Sequence, residues 1–171
     1  MKNKIIKGLL VAVISLSVSC GSSKSCNNKL ASKDCPSEGK CTVVVHKDKA
    51  LLIKMDEFGK PHYEMEANPS KNVVVYTYNK DVPKDVMDAN YREEVVLELD
   101  KKQQSSSLNG KAKGDIKALF GRFCYCKGST GYYFINEGNL MLSDPEHQNY
   151  TVNFKITEVP QVVNTIQFSL K

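Results

Sequence analysis

The sequence predicts an all-β fold: an antiparallel β-sandwich of about nine or ten short strands, with a β-barrel as the alternative. Three observations carry the prediction. β-Branched and aromatic residues gather in short runs bounded by Gly, Pro, Asn, Asp and Ser. Several runs alternate apolar and polar residues, the mark of a sheet with one buried and one wet face. No stretch carries a helical period long enough to dominate. Connections of unequal length, one of them long, favour an open sandwich over a closed barrel.

Each element follows from its residues. Residues 20–40, rich in Ser, Asn and Lys and containing Pro36, read as a cysteine-containing tether, and residues 41–171 as one β-rich domain. Thr42–His46 is a short β-branched strand, and Leu51–Met55 follows after a turn at Lys47-Asp48-Lys49. Asp56–Pro61 is a turn. His62–Glu66 alternates, with Tyr63 and Met65 on one face. Asn68-Pro69-Ser70 is expected to break the chain before Asn72–Asn79, the strongest strand of all. Asp81–Ala89 reads as a loop, Tyr91–Leu99 as a strand, and Lys101–Gly114 as a connection or weak edge hairpin.

Asp115–Leu119 fits either a helical turn or a strand, and Phe120–Cys126 is extended. Gly128–Gly131 is a turn. Tyr132–Ile135 and Asn139–Leu142 are expected to pair as a hairpin around Asn136-Glu137-Gly138. Tyr150–Thr157 places Val152, Phe154 and Ile156 on one face, and Ile166, Phe168 and Leu170 repeat that pattern.

The first residues carry a different message. Lys2, Lys4 and Lys7 precede an apolar stretch, Gly8–Val18, that is well short of the roughly 20 residues a membrane-spanning helix needs. Ser17-Val18-Ser19-Cys20 and Gly21-Ser22-Ser23 follow. Residues 1–23 resemble a bacterial lipoprotein signal peptide, with Leu16 one place earlier than that family's usual leucine. The resemblance implies cleavage after residue 19, acylation of Cys20 and a membrane anchor through it. Ser17-x-Ser19 also reads as an ordinary small-x-small cleavage site, so plain secretion is the alternative. Gly21-Ser22-Ser23-Lys24 lacks the acidic tag that some surface-displayed lipoproteins carry. The expected location is therefore the cell envelope, on the outer membrane facing the periplasm.

Charge and motifs mostly exclude. Removing residues 1–19 takes away three lysines and lowers the formal charge from +5 to +2. No dense basic cluster interleaved with aromatics exists, so no nucleic-acid partner is expected. His46, His62 and His147 have no metal-ligand spacing, and no metal or other cofactor is expected. No nucleophile elbow, phosphate loop or dinucleotide glycine pattern occurs, and no catalytic residue stands out. Asp81, Asp85, Asp88, Glu93 and Glu94 cluster, without the spacing of a calcium loop.

The six cysteines are Cys20, Cys26, Cys35, Cys41, Cys124 and Cys126. In an exported chain the last five are candidate disulfide partners. Acylation of Cys20 leaves one of them unpaired. Cys124 and Cys126, on one face of a strand, are placed to bridge back to Cys26, Cys35 or Cys41 and tie the tether to the sheet. Soft-metal binding such as Cu(I), or thiol exchange at Cys124-x-Cys126, is the competing reading.

Arg122, Tyr125, Tyr132 and Tyr133 lie in the aromatic-rich segment Phe120–Phe134. Tyrosine combines apolar area with a hydroxyl, so these four form the candidate surface for an envelope protein or glycan. Packing of the same rings on both faces of a hairpin is the simpler alternative. The resulting expectation is a non-enzymatic, membrane-anchored binding or structural module. A small carrier of hydrophobic ligands is the second expectation.

Overall fold

The computed structural model describes residues 34–83, 85, 89–108 and 116–170. The expected signal peptide, Cys20, Cys26 and most of the tether lie outside the described residues, as do Asp88 and residues 109–115. Nine strands follow one another: β1 (Gly39–Met55), β2 (Pro61–Lys80), β3 (Tyr91–Asp100), β4 (Ser106–Leu108), β5 (Ala118–Cys124), β6 (Gly131–Phe134), β7 (Glu137–Asp144), β8 (Asn149–Lys155) and β9 (Thr165–Ser169). They form two antiparallel sheets, ordered β1-β2-β3-β5-β6 and β4-β7-β8-β9. The sheets do not close into a barrel. The all-β sandwich predicted from the alternation is the fold.

The main core lies between the sheets. Val43, Val45, Val74, Tyr76, Val95, Leu97, Leu99 and Phe120 come from the larger sheet. Leu140, Tyr150, Val152, Phe154, Ile166 and Phe168 face them. The opposite face of the smaller sheet carries Asn139, Thr151, Asn153, Thr165 and Gln167, polar positions that match its exposure to water.

Three local expectations are corrected. Lys47-Asp48-Lys49 is a bulge within β1, where the register with β2 shifts and Asp48 adopts φ 58°. The irregularity sets the single Asp48 against four residues of β2, Asn68–Lys71, and pairing resumes beyond it, so one 17-residue strand replaces two short ones. Asn68-Pro69-Ser70 likewise bends β2 without ending it, and β2 runs for 20 residues. Proline is tolerated there because the segment sits at the bulge, where the ladder is already interrupted.

The third correction concerns β6 and β7, which do not pair as a hairpin. β6 pairs with β5 in one sheet, and β7 pairs with β4 and β8 in the other. Ile135 and Asn136 carry the chain across the sandwich, and Ile135 is fully buried on the way. A turn signal between two strands marks a change of direction but cannot say which sheet receives the second strand.

The bend in β1 and β2 adds a third layer. The far half of this hairpin folds over the outer face of the larger sheet. Leu51 joins Val73, Val96 and Leu119 in a second apolar cluster, flanked by Ile53, Tyr63, Met65, Tyr132 and Phe134. β3 is therefore buried on both faces, which explains its unbroken run Val95-Val96-Leu97. Two side chains hold the hairpin down. Glu98 Oε2 accepts from the Leu51 N–H at 2.7 Å, and the Lys117 ammonium donates to the Leu51 carbonyl at 2.7 Å and to Glu98 at 3.1 Å.

Gly121 allows the third layer to close. A Cβ there would lie 2.6 Å from a Tyr132 ring carbon and 2.7 Å from Phe123. The bare backbone lets Tyr132 lie across β5, edge-on to both Phe123 and Tyr63, with ring centroids 5.2 and 5.4 Å away. Gly121→Ala is expected to lower stability by about 1–3 kcal/mol, because two rings must move in a packed layer. Urea unfolding measures this, and an unchanged midpoint would contradict the tight fit.

Candidate functional site

The most distinctive surface feature is a groove along β6. Its lining includes the consecutive residues Tyr132, Tyr133 and Phe134. Consecutive strand residues point to opposite faces, so a groove touching all three runs along the strand's edge. Met55, Phe58, Lys60 and Pro61 from the β1–β2 turn form one wall, and Asn136 and Glu158 contribute from the other side. The volume is about 380 Å³.

The wall is built by a stiff turn. Asp56 Oδ1 accepts from the N–H groups of Phe58 and Lys60 at 2.9 and 2.7 Å, and Gly59 supplies φ +72°. The turn holds Phe58 81% exposed beside the groove. Lys60 reaches from the turn to β6, donating to the Tyr133 hydroxyl at 3.2 Å, with its ammonium 4.7 Å from the ring centre. Asn136 Oδ1 is buried without a hydrogen-bond partner among the described residues. Native structures rarely leave such an acceptor unpaired.

The four predicted surface residues do not form one surface. Tyr132 lies on the outer face of β6, under the folded-back hairpin, and donates to Glu94 Oε2 at 2.6 Å. Tyr133 packs toward the main core. Arg122 turns inward as well. Its Nη1 donates to Ser129 at 2.8 Å and its Nε to Tyr91 at 3.4 Å. Only Tyr125 is free, 85% exposed in the turn after β5. Alternation scattered the segment because neighbours on a strand face opposite ways.

The cysteines also depart from expectation. Cys35 pairs with Cys41 and Cys124 with Cys126, so neither bridge ties the tether to β5. Both links are local because Cys41 lies on β1 at one side of the larger sheet, whereas β2 and β3 separate it from β5. In this bonded state neither Cys124 nor Cys126 offers a thiolate to Cu(I).

The acidic residues divide by role. Glu93 is fully buried. Its Oε1 accepts from the Val162 N–H at 2.7 Å and the Tyr91 hydroxyl at 2.5 Å, and its Oε2 from the Val163 N–H at 2.8 Å. This carboxylate clamps the β8–β9 connection onto β3, and its hydrogen-bonding capacity serves the fold. Glu94 is held between Tyr132 and Arg92. Among the described residues no group of His, Cys, Asp and Glu is arranged to hold a metal. His147 lies against Asp144 at 2.7 Å in an exposed turn, and that contact lowers the Asp144 carboxyl below its usual range.

These environments act on the tyrosines. Burial, then the hydrogen bond to Glu93, pushes the Tyr91 phenol up to about 12. Burial and the bond to Glu94 raise Tyr132 as well, and burial raises Tyr63, Tyr78 and Tyr150. A folded-state value above the unfolded one gives stability that is present below about pH 10 and lost as pH rises through the folded value. Alkaline destabilisation should therefore begin near pH 10 and steepen toward 12. Tyr91→Phe should flatten that slope in urea midpoints measured across the window; an identical slope would contradict the assignment.

Sequence reading missed Met55, Phe58, Lys60, Asn136 and Glu158. One signal was available: Phe58 is a large apolar residue inside Asp56-Glu57-Phe58-Gly59, a turn with no core to enter. No family model matches the chain, and no curated protein or solved structure matches it either.

Proposed function

We propose that this chain is a lipoprotein of the bacterial envelope, anchored through Cys20, whose β-sandwich is a non-enzymatic module that binds an envelope protein or glycan in the groove beside β6. The observation that carries the binding reading is the rigid presentation of Phe58, 81% exposed on a turn fixed by Asp56. Folding alone gives no reason to hold a phenylalanine in water, whereas a large exposed apolar group beside a groove suits a partner contact. Engagement of Glu93 and Glu94 in structural hydrogen bonds and an ion pair supports a binding role over a catalytic one. The anchor reading rests on the resemblance of residues 1–23 to lipoprotein signals.

Two measurements test the two halves. Intact mass of the protein from native membranes, alkylated without reduction, is expected to give a chain beginning at acylated Cys20; an unlipidated mass would remove the anchor. Phe58→Asp is expected to abolish co-purification of the envelope component while shifting the unfolding midpoint by no more than about 0.5 kcal/mol, as for an exposed site. Undiminished co-purification would remove the groove from the function.

A further inference from the structure

We infer that the open edge of β6 accepts an extended polypeptide segment of a partner as an added strand. The inference deepens the binding-module reading and rests on it. β6 is the last strand of its sheet. Ile135 N–H donates to the Ala118 carbonyl at 3.2 Å, which sets the phase of the ladder with β5. Antiparallel ladders alternate, so Gly131 and Tyr133 turn their main-chain groups toward β5, and Tyr132 and Phe134 turn theirs away. The outward N–H and C=O groups of Tyr132 and Phe134 have no main-chain partner among the described residues.

The groove lies along this edge. Donor and acceptor at alternate residues, at strand spacing, are complemented by another extended main chain. A lipid tail cannot pair with them. Asn136 Oδ1, buried and unpartnered beside the same edge, asks for one further N–H donor. Met55 and Phe58 offer an apolar wall for alternate side chains of the segment, and the Lys60 ammonium selects an acidic residue among them. The occupant is thus an extended segment with alternating apolar residues and one acid near Lys60.

The other exposed edge of the sheet differs. It is capped at Leu51, on the folded-back half of β1, whose N–H and C=O are taken by Glu98 and Lys117. The β6 edge is left uncapped where an exposed aromatic and an unpaired acceptor meet it.

The test uses the full chain and a random dodecapeptide display library as probe. Enriched peptides should alternate apolar residues. N-methylation of their amides in one alternating phase should weaken binding roughly tenfold or more, and in the other phase leave it unchanged. Binding should slow amide exchange at Tyr132 and Phe134, and Asn136→Leu should weaken it without lowering stability. Absence of enriched peptides, equal effects of both phases, or protection elsewhere would overturn the inference. So would self-association of the chain through β6, or a glycan as the groove's occupant. Should strand addition fail while Phe58→Asp still abolishes envelope co-purification, the binding module stands and only its mode falls. Should peptides bind with the predicted phase while no envelope partner depends on Phe58, strand addition stands and the envelope-binding module falls.

Discussion

Glu93→Ala is expected to destabilise the protein by about 3–5 kcal/mol. The carboxylate is fully buried and accepts from two main-chain N–H groups of the β8–β9 connection and from Tyr91. Truncation strands those donors, and an unpaired buried donor costs about 1–3 kcal/mol. It also opens a void beside Val163, which belongs to the main core. Glu93→Gln should recover part of the loss, because its carbonyl oxygen still accepts while its amide brings donors where donors already converge. Urea midpoints of the two variants check the order. If alanine and glutamine cost the same, or alanine costs under about 1 kcal/mol, the clamp does not work as described.

The second large effect concerns the folded-back hairpin. Glu98→Ala should cost about 1–3 kcal/mol, since it leaves the Leu51 N–H without its buried acceptor and removes the partner that holds Lys117 on the hairpin. The loss should be uneven. Val73, Val96 and Leu119 are covered by that hairpin, and each fully buried aliphatic side chain contributes about 1.5–3 kcal/mol. Weakening the latch therefore favours a state with the hairpin lifted and the sandwich intact. Native-state hydrogen exchange should then show Ala50–Met55 and His62–Glu66 exchanging ahead of Val95–Leu99. A double-mutant cycle with Lys117→Ala should give a coupling of about 0.5–3 kcal/mol. Uniform exchange in both segments would mean that the hairpin and sandwich unfold as one unit.

Local physics made much of the fold legible. β-Branched runs and alternation depend on neighbours two residues apart, so Asn72–Asn79 could be read as a strand, and Tyr150–Thr157 and Ile166–Leu170 as strands with their buried faces. The same rule placed Tyr63 and Met65 together, and they do share the second apolar cluster. The expectation that aromatic rings in Phe120–Phe134 pack on both faces of the sheet also agrees with the positions of Phe120, Phe123 and Tyr132.

Other features depended on which distant segments meet. Lys47–Lys49 carries the polar residues of a turn and of a bulge alike; only the register with β2 distinguishes them. Asn136–Gly138 carries a hairpin signal, yet burial of Ile135 between the sheets sends the chain across the sandwich. Cysteine pairing follows the order of strands in space, which no spacing encodes. The groove is the clearest case: its walls come from residues 55–61, 132–136 and 158, brought together by a bend in one hairpin and the crossing of another strand. By itself the sequence determined the all-β character and the inward faces of the strands that alternate cleanly, because each is written in adjacent residues. Tertiary structure alone decided the third layer, the bridges and the open edge of β6, because each is a relation between segments far apart in the chain.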